Sequence, residues 1–225
     1  MKNSVGKIHL KSKKKRTLSS RSWLERQLND PYVKKSKIDG YRSRAAYKLI
    51  EIDQKYKILK PGQRVIDLGA APGGWSQIIA EKITAKGLLI ALDLQVIETL
   101  SDNTTIITGD FEDEEIQTQI SEIMQKANVI VSDMAAPACG IPSVDHIRIM
   151  NLLESAINFA IQHLELNGCF VAKVLRGGTE AELLKVLKNH FSQVTHFKPN
   201  SSRQDSAEMY VVAKGFKANV NVCSS

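Results

Sequence analysis

No uninterrupted apolar run in the 225-residue chain approaches the ~18 residues that a membrane-spanning helix requires, so a soluble protein with no membrane partner is expected. Cysteine is scarce: Cys139, Cys169 and Cys223 form no C-x-x-C pair. Neither a disulfide framework nor a zinc site is indicated, no metal is expected, and a reducing, cytoplasmic compartment fits best. No apolar segment follows the N-terminal charges, which argues against a secretory signal. Residues 1–22 contain no acid, as a mitochondrial presequence would, but six of their eight basic residues are Lys rather than Arg. Internal repeats are also missing, and one sizeable domain is the expectation from length and from a hydrophobic content of 43%.

What the chain has in excess is positive charge at one end. Residues 1–37 hold 12 Lys/Arg against only Glu25 and Asp30, whereas the other 188 residues hold 19 basic and 22 acidic side chains. The block is densest at "KSKKKR", around Lys13, Lys14, Lys15 and Arg16. A run of this kind reads as a flexible, solvated arm that attracts a polyanion, with an affinity that falls steeply with salt. Arg42, Arg44, Lys55, Lys57 and Lys60 extend the excess to 13 charges over residues 1–60, and Tyr32 or Tyr41 could stack on bases.

Beyond the arm, "YRSRAAYKLIEIDQKY" (41–56) carries Ala45, Leu49, Ile52 and Tyr56 at helical spacing, with Arg44, Lys48, Glu51 and Lys55 on another face. Short β-rich runs then alternate with helical patterns. The strands read as 64–68, 88–94, 104–108, 128–133, 169–175, 194–198 and 209–216, and the helices lie near 75–84, 112–126, 144–165 and 179–190. Continuous apolar strands imply a parallel sheet covered on both faces. "PNSSRQDSAE" between the last two strands holds no helix, so these two can pair as an antiparallel edge. A doubly wound α/β domain spans 38–217, after an arm at 1–37 and before a tail at 218–225.

Between the first strand and the next helix stands "VIDLGAAPGGWSQIIA" (65–80), where Gly69, Pro72, Gly73 and Gly74 interrupt two apolar segments. A glycine turn at this place is the usual ligand crevice of such a sheet. The dinucleotide pattern G-x-G-x-x-G is not met, and no Gly-Lys-Ser/Thr follows to cradle a phosphate. Instead Asp67, Asp93 and Asp110 stand at successive strand ends, where they would repel a phosphate. They suit a ligand with hydroxyls, an amine and a positive centre, and S-adenosylmethionine has all three. Asp93 can accept from its ribose, Asp110 from its adenine amine, and Asp67 sits near the methionine end. The backbone at Gly73 can pass close to the methionine moiety, with Trp75 packed beside it.

"DLGAAPGGWSQ", "LDL", "GDF", "SDMA" and "AKV", in that order, resemble the FtsJ/RrmJ ribosomal RNA methyltransferases from about Trp23 to Phe216. The resemblance implies a Rossmann-like class I S-adenosylmethionine-dependent methyltransferase fold, with a seven-stranded, mostly parallel sheet and an antiparallel last strand. It implies one polypeptide per active site, a monomer, that methylates the ribose 2′-hydroxyl of a uridine in large-subunit (23S) ribosomal RNA, in the assembled or assembling 50S subunit. It also implies a catalytic Lys-Asp-Lys-Glu set, which falls on Lys48, Asp133, Lys173 and Glu208, with Asp133 bordering the cofactor as well. Asp133 closes a strand, and Lys173 lies near a strand's C-terminal end beside the crevice. Lys48 alone reads as a solvated helix residue beside Glu51, and Glu208 alone is unremarkable.

Lys173 is the expected proton acceptor, because a second ammonium and partial burial favour the neutral amine that such a role needs, and Lys48 would supply that neighbour. Asp133 would orient Lys173, while Lys48 and Glu208 hold the ribose. One departure is visible: the family reads Asp-Met-Ala-Pro, where this chain has Asp133-Met134-Ala135-Ala136-Pro137.

Other functions fit less well. Exocyclic-amine methylation uses an Asn/Asp-Pro-Pro-aromatic loop that "DMAAP" lacks, and Cys139 sits in "PAC", not Pro-Cys. A tRNA ribose as substrate, or a non-catalytic RNA-binding protein of this fold, is the alternative.

Overall fold

The computed structural model describes residues 18–136, 139–175, 180–203 and 206–217. The basic block at Lys13, Lys14, Lys15 and Arg16 and the tail at 218–225 lie outside these. So do Cys223 and Pro137, the proline displaced from the family pattern.

Seven strands form one sheet in the order β3-β2-β1-β4-β5-β7-β6. They are β1 (Arg64–Leu68), β2 (Leu88–Asp93), β3 (Thr104–Thr108), β4 (Ala127–Ser132), β5 (Leu164–Leu175), β6 (Phe191–Phe197) and β7 (Glu208–Phe216). The first five run parallel, and β7 is antiparallel to both β5 and β6. The last two strands form the expected antiparallel edge, with β7 entering between β5 and β6, which places its residues opposite Lys173. Strand order reverses between β1 and β4, and a ligand crevice belongs at that switch point.

Period two in the strands sorts the core into two layers. Ile66, Leu68, Ile90, Ile130, Phe170 and Val211 face α5 (Glu114–Ile123), α6 (Pro142–His163) and α7 (Glu180–His190). Val65, Leu89, Val129, Val171 and Val212 face α3 (Ala45–Tyr56) and α4 (Gly74–Ile83). Asp67, Asp133, Lys173, Glu208 and Tyr210 share the parity of this second set, so all five belong to the α3/α4 face.

The segment read as a flexible arm is helical from residue 18. It folds as α1 (Leu18–Asn29) and α2 (Pro31–Ile38), with Pro31 in the first turn. Asp30 caps α2 by accepting from Tyr32 N at 3.0 Å and is only 7% exposed, so this junction is anchored to the domain. A composition rule sees the lysines of α2 but not the buried carboxylate that pins it.

The polar face of α3 also differs from the sequence reading. Arg44 bonds Asp30 and the Ser201 carbonyl, and Lys48 pairs with Glu208. Glu51 accepts from Asn200 N and Ser201 N at 2.6 and 2.9 Å, and Lys55 lies over the Phe197 ring. The face is the seat of the β6–β7 connection, not a solvated surface.

Candidate active site

The register Ser132↔Ala172 sets Asp133, the first residue past β4, beside Lys173 on β5. Lys173 is directly opposite Tyr210 on β7, two residues from Glu208, so all three side chains project on one face. From above, α3 delivers Lys48. The four expected residues meet as a chain of contacts. Lys173 Nζ lies 3.1 Å from Asp133 Oδ1 and donates to the Asp133 carbonyl at 2.7 Å. Lys48 Nζ is 3.8 Å from the same Oδ1 and 3.5 Å from Glu208 Oε2. Both lysines are buried, at 8% and 9% exposure, against the expectation of a solvated Lys48.

The sequence reading missed Tyr210. Its hydroxyl donates to Asp133 Oδ1 at 2.6 Å, and its ring packs on Trp75 at 5.5 Å between centroids. Its place two residues after Glu208 on one strand face was the available signal. Burial alone would raise the carboxyl of Asp133, but Lys173, Lys48 and the Tyr210 hydroxyl hold it below the ordinary carboxylate range. The Tyr210 phenol is correspondingly pushed up, by burial first and by Asp133.

Next to Asp133 opens a cavity of about 600 Å³ across the carboxyl ends of β1 to β4. Gly69, Asp93, Asp110 and Asp133 are on its wall, together with Leu92, Phe111 and Met134. One helix of the wall went unnoticed in the sequence: Arg148, Asn151 and Ser155 of α6 form a polar stripe at helical spacing. Asp93 accepts from Ala71 N and Gln95 N, both at 2.9 Å, and Asp110 accepts from Glu112 N at 3.0 Å. These carboxylates thus brace their own loops, and each bonded oxygen retains a second lone pair for a ligand.

Asp67, Gly73, Gly74 and Trp75 are not on the cavity wall, and packing explains their types. Gly73 has φ 105°, and a Cβ there would lie 2.8 Å from Arg42 Nη1. A Cβ on Gly74 would collide with Ser43 Oγ, and one on Gly69 with Met134 Cγ. The turn therefore receives residues 40–45 rather than a pyrophosphate. Gln77 fastens that segment from both sides, accepting from Arg42 N at 2.7 Å and donating to the Gly40 carbonyl at 3.1 Å. Trp75 is a core residue, 3% exposed, whose Nε1 donates to the Ala45 carbonyl at 2.8 Å.

Arg42 and Arg44, expected to contact RNA, are engaged within the protein. Arg42 donates to the carbonyls of Glu98, Thr99 and Pro72 at 2.9, 2.7 and 3.4 Å. It thereby ties the loop after β2 to the glycine turn. Tyr32 and Tyr41 both pack on Tyr47, at 5.4 and 5.5 Å.

Asp67 is 1% exposed, and its Oδ2 accepts from the Ser76 hydroxyl at 2.6 Å while Oδ1 has no partner. Burial pushes its carboxyl up to about 7, the Ser76 bond opposes this, and repulsion from Asp133 and Asp93 adds to it.

An acid-edged crevice at the switch point, with a lysine–carboxylate cluster beside it, places the chain among the doubly wound, Rossmann-like ligand-binding folds. The comparisons narrow this. The FtsJ-like methyltransferase family model matches residues 41–216, and the chain belongs to that family. It is 51% identical over 222 residues to "Ribosomal RNA large subunit methyltransferase E" of Parvibaculum lavamentivorans, covering 94% of this chain and 87% of that one. It is 48% identical over 211 residues to the protein of the same name from Rickettsia bellii, covering 92% and 93%. Among solved structures, a Plasmodium falciparum protein described as a ribosomal RNA methyltransferase superposes with a TM-score of 0.71 at 34% identity. The match covers 78% of this chain and 98% of that one. A Lactococcus lactis protein described as a hemolysin, at 14% identity and a TM-score of 0.58 over 80% and 90% of the chains, shares the fold alone.

Two outcomes are expected. Because folded Asp67 retains a proton that the unfolded chain releases near its ordinary value, stability should fall as pH rises from about 4 towards 7. The limiting slope is about 1.4 kcal/mol per pH unit. Asp67→Asn should remove that slope in urea denaturation run between about pH 5 and about pH 8, and a wild-type-minus-variant difference that stays constant would contradict the assignment. Arg42→Ala should speed amide hydrogen exchange in residues 94–100 by roughly tenfold, because opening that loop no longer breaks the bonds to its carbonyls. Unchanged exchange, with a shallower salt dependence of RNA binding, would instead make Arg42 a phosphate contact.

Proposed function

We propose that this protein transfers a methyl group from S-adenosylmethionine to the 2′-hydroxyl of a uridine ribose in large-subunit ribosomal RNA, in the assembled or assembling 50S subunit and in the cytoplasm. The observation that carries the proposal is the unbroken chain of contacts from Lys173 through Asp133 and Lys48 to Glu208, at the mouth of an acid-lined cavity. The names of the relatives support ribosomal RNA as the substrate. All four residues come from one chain, which fits a monomeric enzyme.

The cavity suits the donor by its chemistry. Asp93 would take the ribose hydroxyls and Asp110 the adenine amine, with Leu92 and Phe111 offering apolar surface. Asp67, off the cavity wall and with its carboxyl raised by burial, supports the turn beneath the site through Ser76 and does not itself hold the donor. When bound, this cofactor supplies an electrophilic methyl group on a positively charged sulfur.

The protein's own part is to place the hydroxyl and take its proton. Lys173 Nζ has two acceptors, the carbonyl and Oδ1 of Asp133. A neutral amine satisfies both with its two N–H groups and keeps one lone pair for the incoming hydroxyl. As that proton arrives, the new positive charge lies 3.1 Å from a carboxylate already held ionised. Lys48 and Glu208, paired at 3.5 Å, offer a donor and an acceptor to the same sugar. Outside the described residues, the basic run from Lys13 to Arg16 would add sequence-independent attraction to RNA.

Lys173→Ala should lower kcat by about 10² to 10⁴ while the Kd for S-adenosylmethionine changes less than about threefold. Retained turnover would remove this lysine from the chemistry. The substrate assignment is read by mapping 2′-O-methyl groups in cells lacking the protein. One large-subunit uridine should lose its methyl group, and an unchanged large-subunit pattern would overturn the assignment.

A further inference from the structure

Beside the catalytic cluster, towards the β6–β7 side of the sheet, lies a second depression of about 350 Å³ that shares no wall residue with the first cavity. Three separate parts of the chain build it. Helix α1 contributes Arg26 and Gln27, the start of α3 contributes Arg44 and Lys48, and the β6–β7 connection with the first residue of β7 contributes Arg203 and Glu208. Four of these six side chains are cationic. Asp30 lies under Arg44 and Arg203, and Lys48 reaches Asp133.

The charge within the well is polarised. Glu208 and Lys48 occupy the end next to Asp133, where Lys48 Nζ bridges the two carboxylates at 3.5 and 3.8 Å. Arg26 and Arg203 come from the other two walls, one on a helix face and the other on the strand connection. A phosphate is excluded from the Glu208 end by repulsion and attracted to the arginines, whereas a sugar hydroxyl suits the Lys48–Glu208 end. Asp30, at 7% exposure, holds Arg203 through its Nε at 3.3 Å and also binds Arg44, so the position of the guanidinium is set before any ligand arrives. Pre-set guanidinium groups are the side chains best matched to phosphate oxygens.

Resting on the proposed function, we propose that this well seats the RNA strand, with Arg26 and Arg203 gripping a phosphodiester next to the target ribose while Lys48 and Glu208 receive that ribose. The cofactor cavity and the well then meet at Asp133 and Lys48, and the hydroxyl enters from the side opposite the methyl donor. Helix α1, read from composition as part of a flexible arm, becomes a wall of the substrate site. Phosphate contacts carry no sequence information, so the well fixes the register of the strand, and selection among nucleotides lies elsewhere.

The test uses the full chain with a large-subunit RNA particle as substrate. Arg203→Gln and Arg26→Gln should each raise KM for the particle by about tenfold while kcat changes less than about threefold. Each should also lower the slope of log affinity against log salt by about one, since one counterion-releasing contact is lost. Arg203→Lys should restore the slope because the charge returns, and the Kd for S-adenosylmethionine should stay within about twofold in all three. If kcat falls while the RNA slope is unchanged, the arginines only brace Lys48 and the proposal is wrong. Arg26 lies on the exposed side of α1, so its variant stays informative if Arg203→Gln unfolds. Binding slopes are read without turnover, which separates the two ideas: a wild type that binds RNA but forms no 2′-O-methyl group overturns the function and leaves the well standing.

Discussion

A carboxylate withdrawn from water costs several kcal/mol unless it is paired and hydrogen-bonded. Asp133, whose side chain is only 16% exposed, meets that cost largely through one oxygen. The Tyr210 hydroxyl at 2.6 Å, Lys173 Nζ at 3.1 Å and Lys48 Nζ at 3.8 Å all converge on Oδ1. Each donor arrives from a different element: β7, β5 and α3. The antiparallel insertion of β7 between β5 and β6 is what allows this, because it sets Tyr210 directly across from Lys173. Two lysines would repel each other in such a space, and the shared carboxylate makes their neighbourhood tolerable.

The glycine turn serves the same end by another route. Gly73 and Gly74 leave room for Arg42 and Ser43, and Gln77 bonds the backbone at 40 and 42. Trp75 then ties the first residue of α3 through the Ala45 carbonyl, one turn before Lys48. A chain that breaks a buried segment with glycines and resumes with a large indole is making a socket for α3. Arg42 extends the socket to the loop after β2, whose Leu94 and Gln95 line the cavity. The helix that carries Lys48 and the loop that borders the acid-edged cavity therefore share one anchor.

The features legible in the sequence were those with a local signature. Strands β1 and β3 match their expected limits, and of the three carboxylates read at strand ends Asp93 and Asp110 lie on the cavity wall while Asp67 does not; Asp133 was assigned through the family resemblance. Lys173 was legible as a lysine inside an apolar strand. Lys48 and Glu208 had no such mark, since each depends on a partner about 160 residues away, and only the family resemblance singled them out. The same distance hid the fate of Arg44, whose partners are Asp30 and Ser201. Charge composition described α1 and α2 as an arm because it counts lysines and cannot register the burial of Asp30. Long-range ion pairs are invisible to periodicity, and this site is built largely from them.

The fold by itself does not decide the chemistry. A crevice at the β1/β4 switch point follows from strand order alone, and a protein with 14% identity shares that order of architecture without sharing a described activity. What is particular to this chain is the pairing of two side-chain parities: 131 and 133 at the end of β4, and 171 and 173 on β5, against 208, 210 and 212 on β7. Shifting any of these by one residue would send Asp133, Lys173 or Glu208 to the α6 face and put a neighbour such as Met134, Ala172 or Met209 in its place. The register is held by Val129, Val131, Val171 and Val212, which pack beneath α3 and α4 on the same face. The apolar layer that stabilises the domain is thus also what aims the charged groups above it, and a core substitution there is expected to act on chemistry through register before it acts through stability.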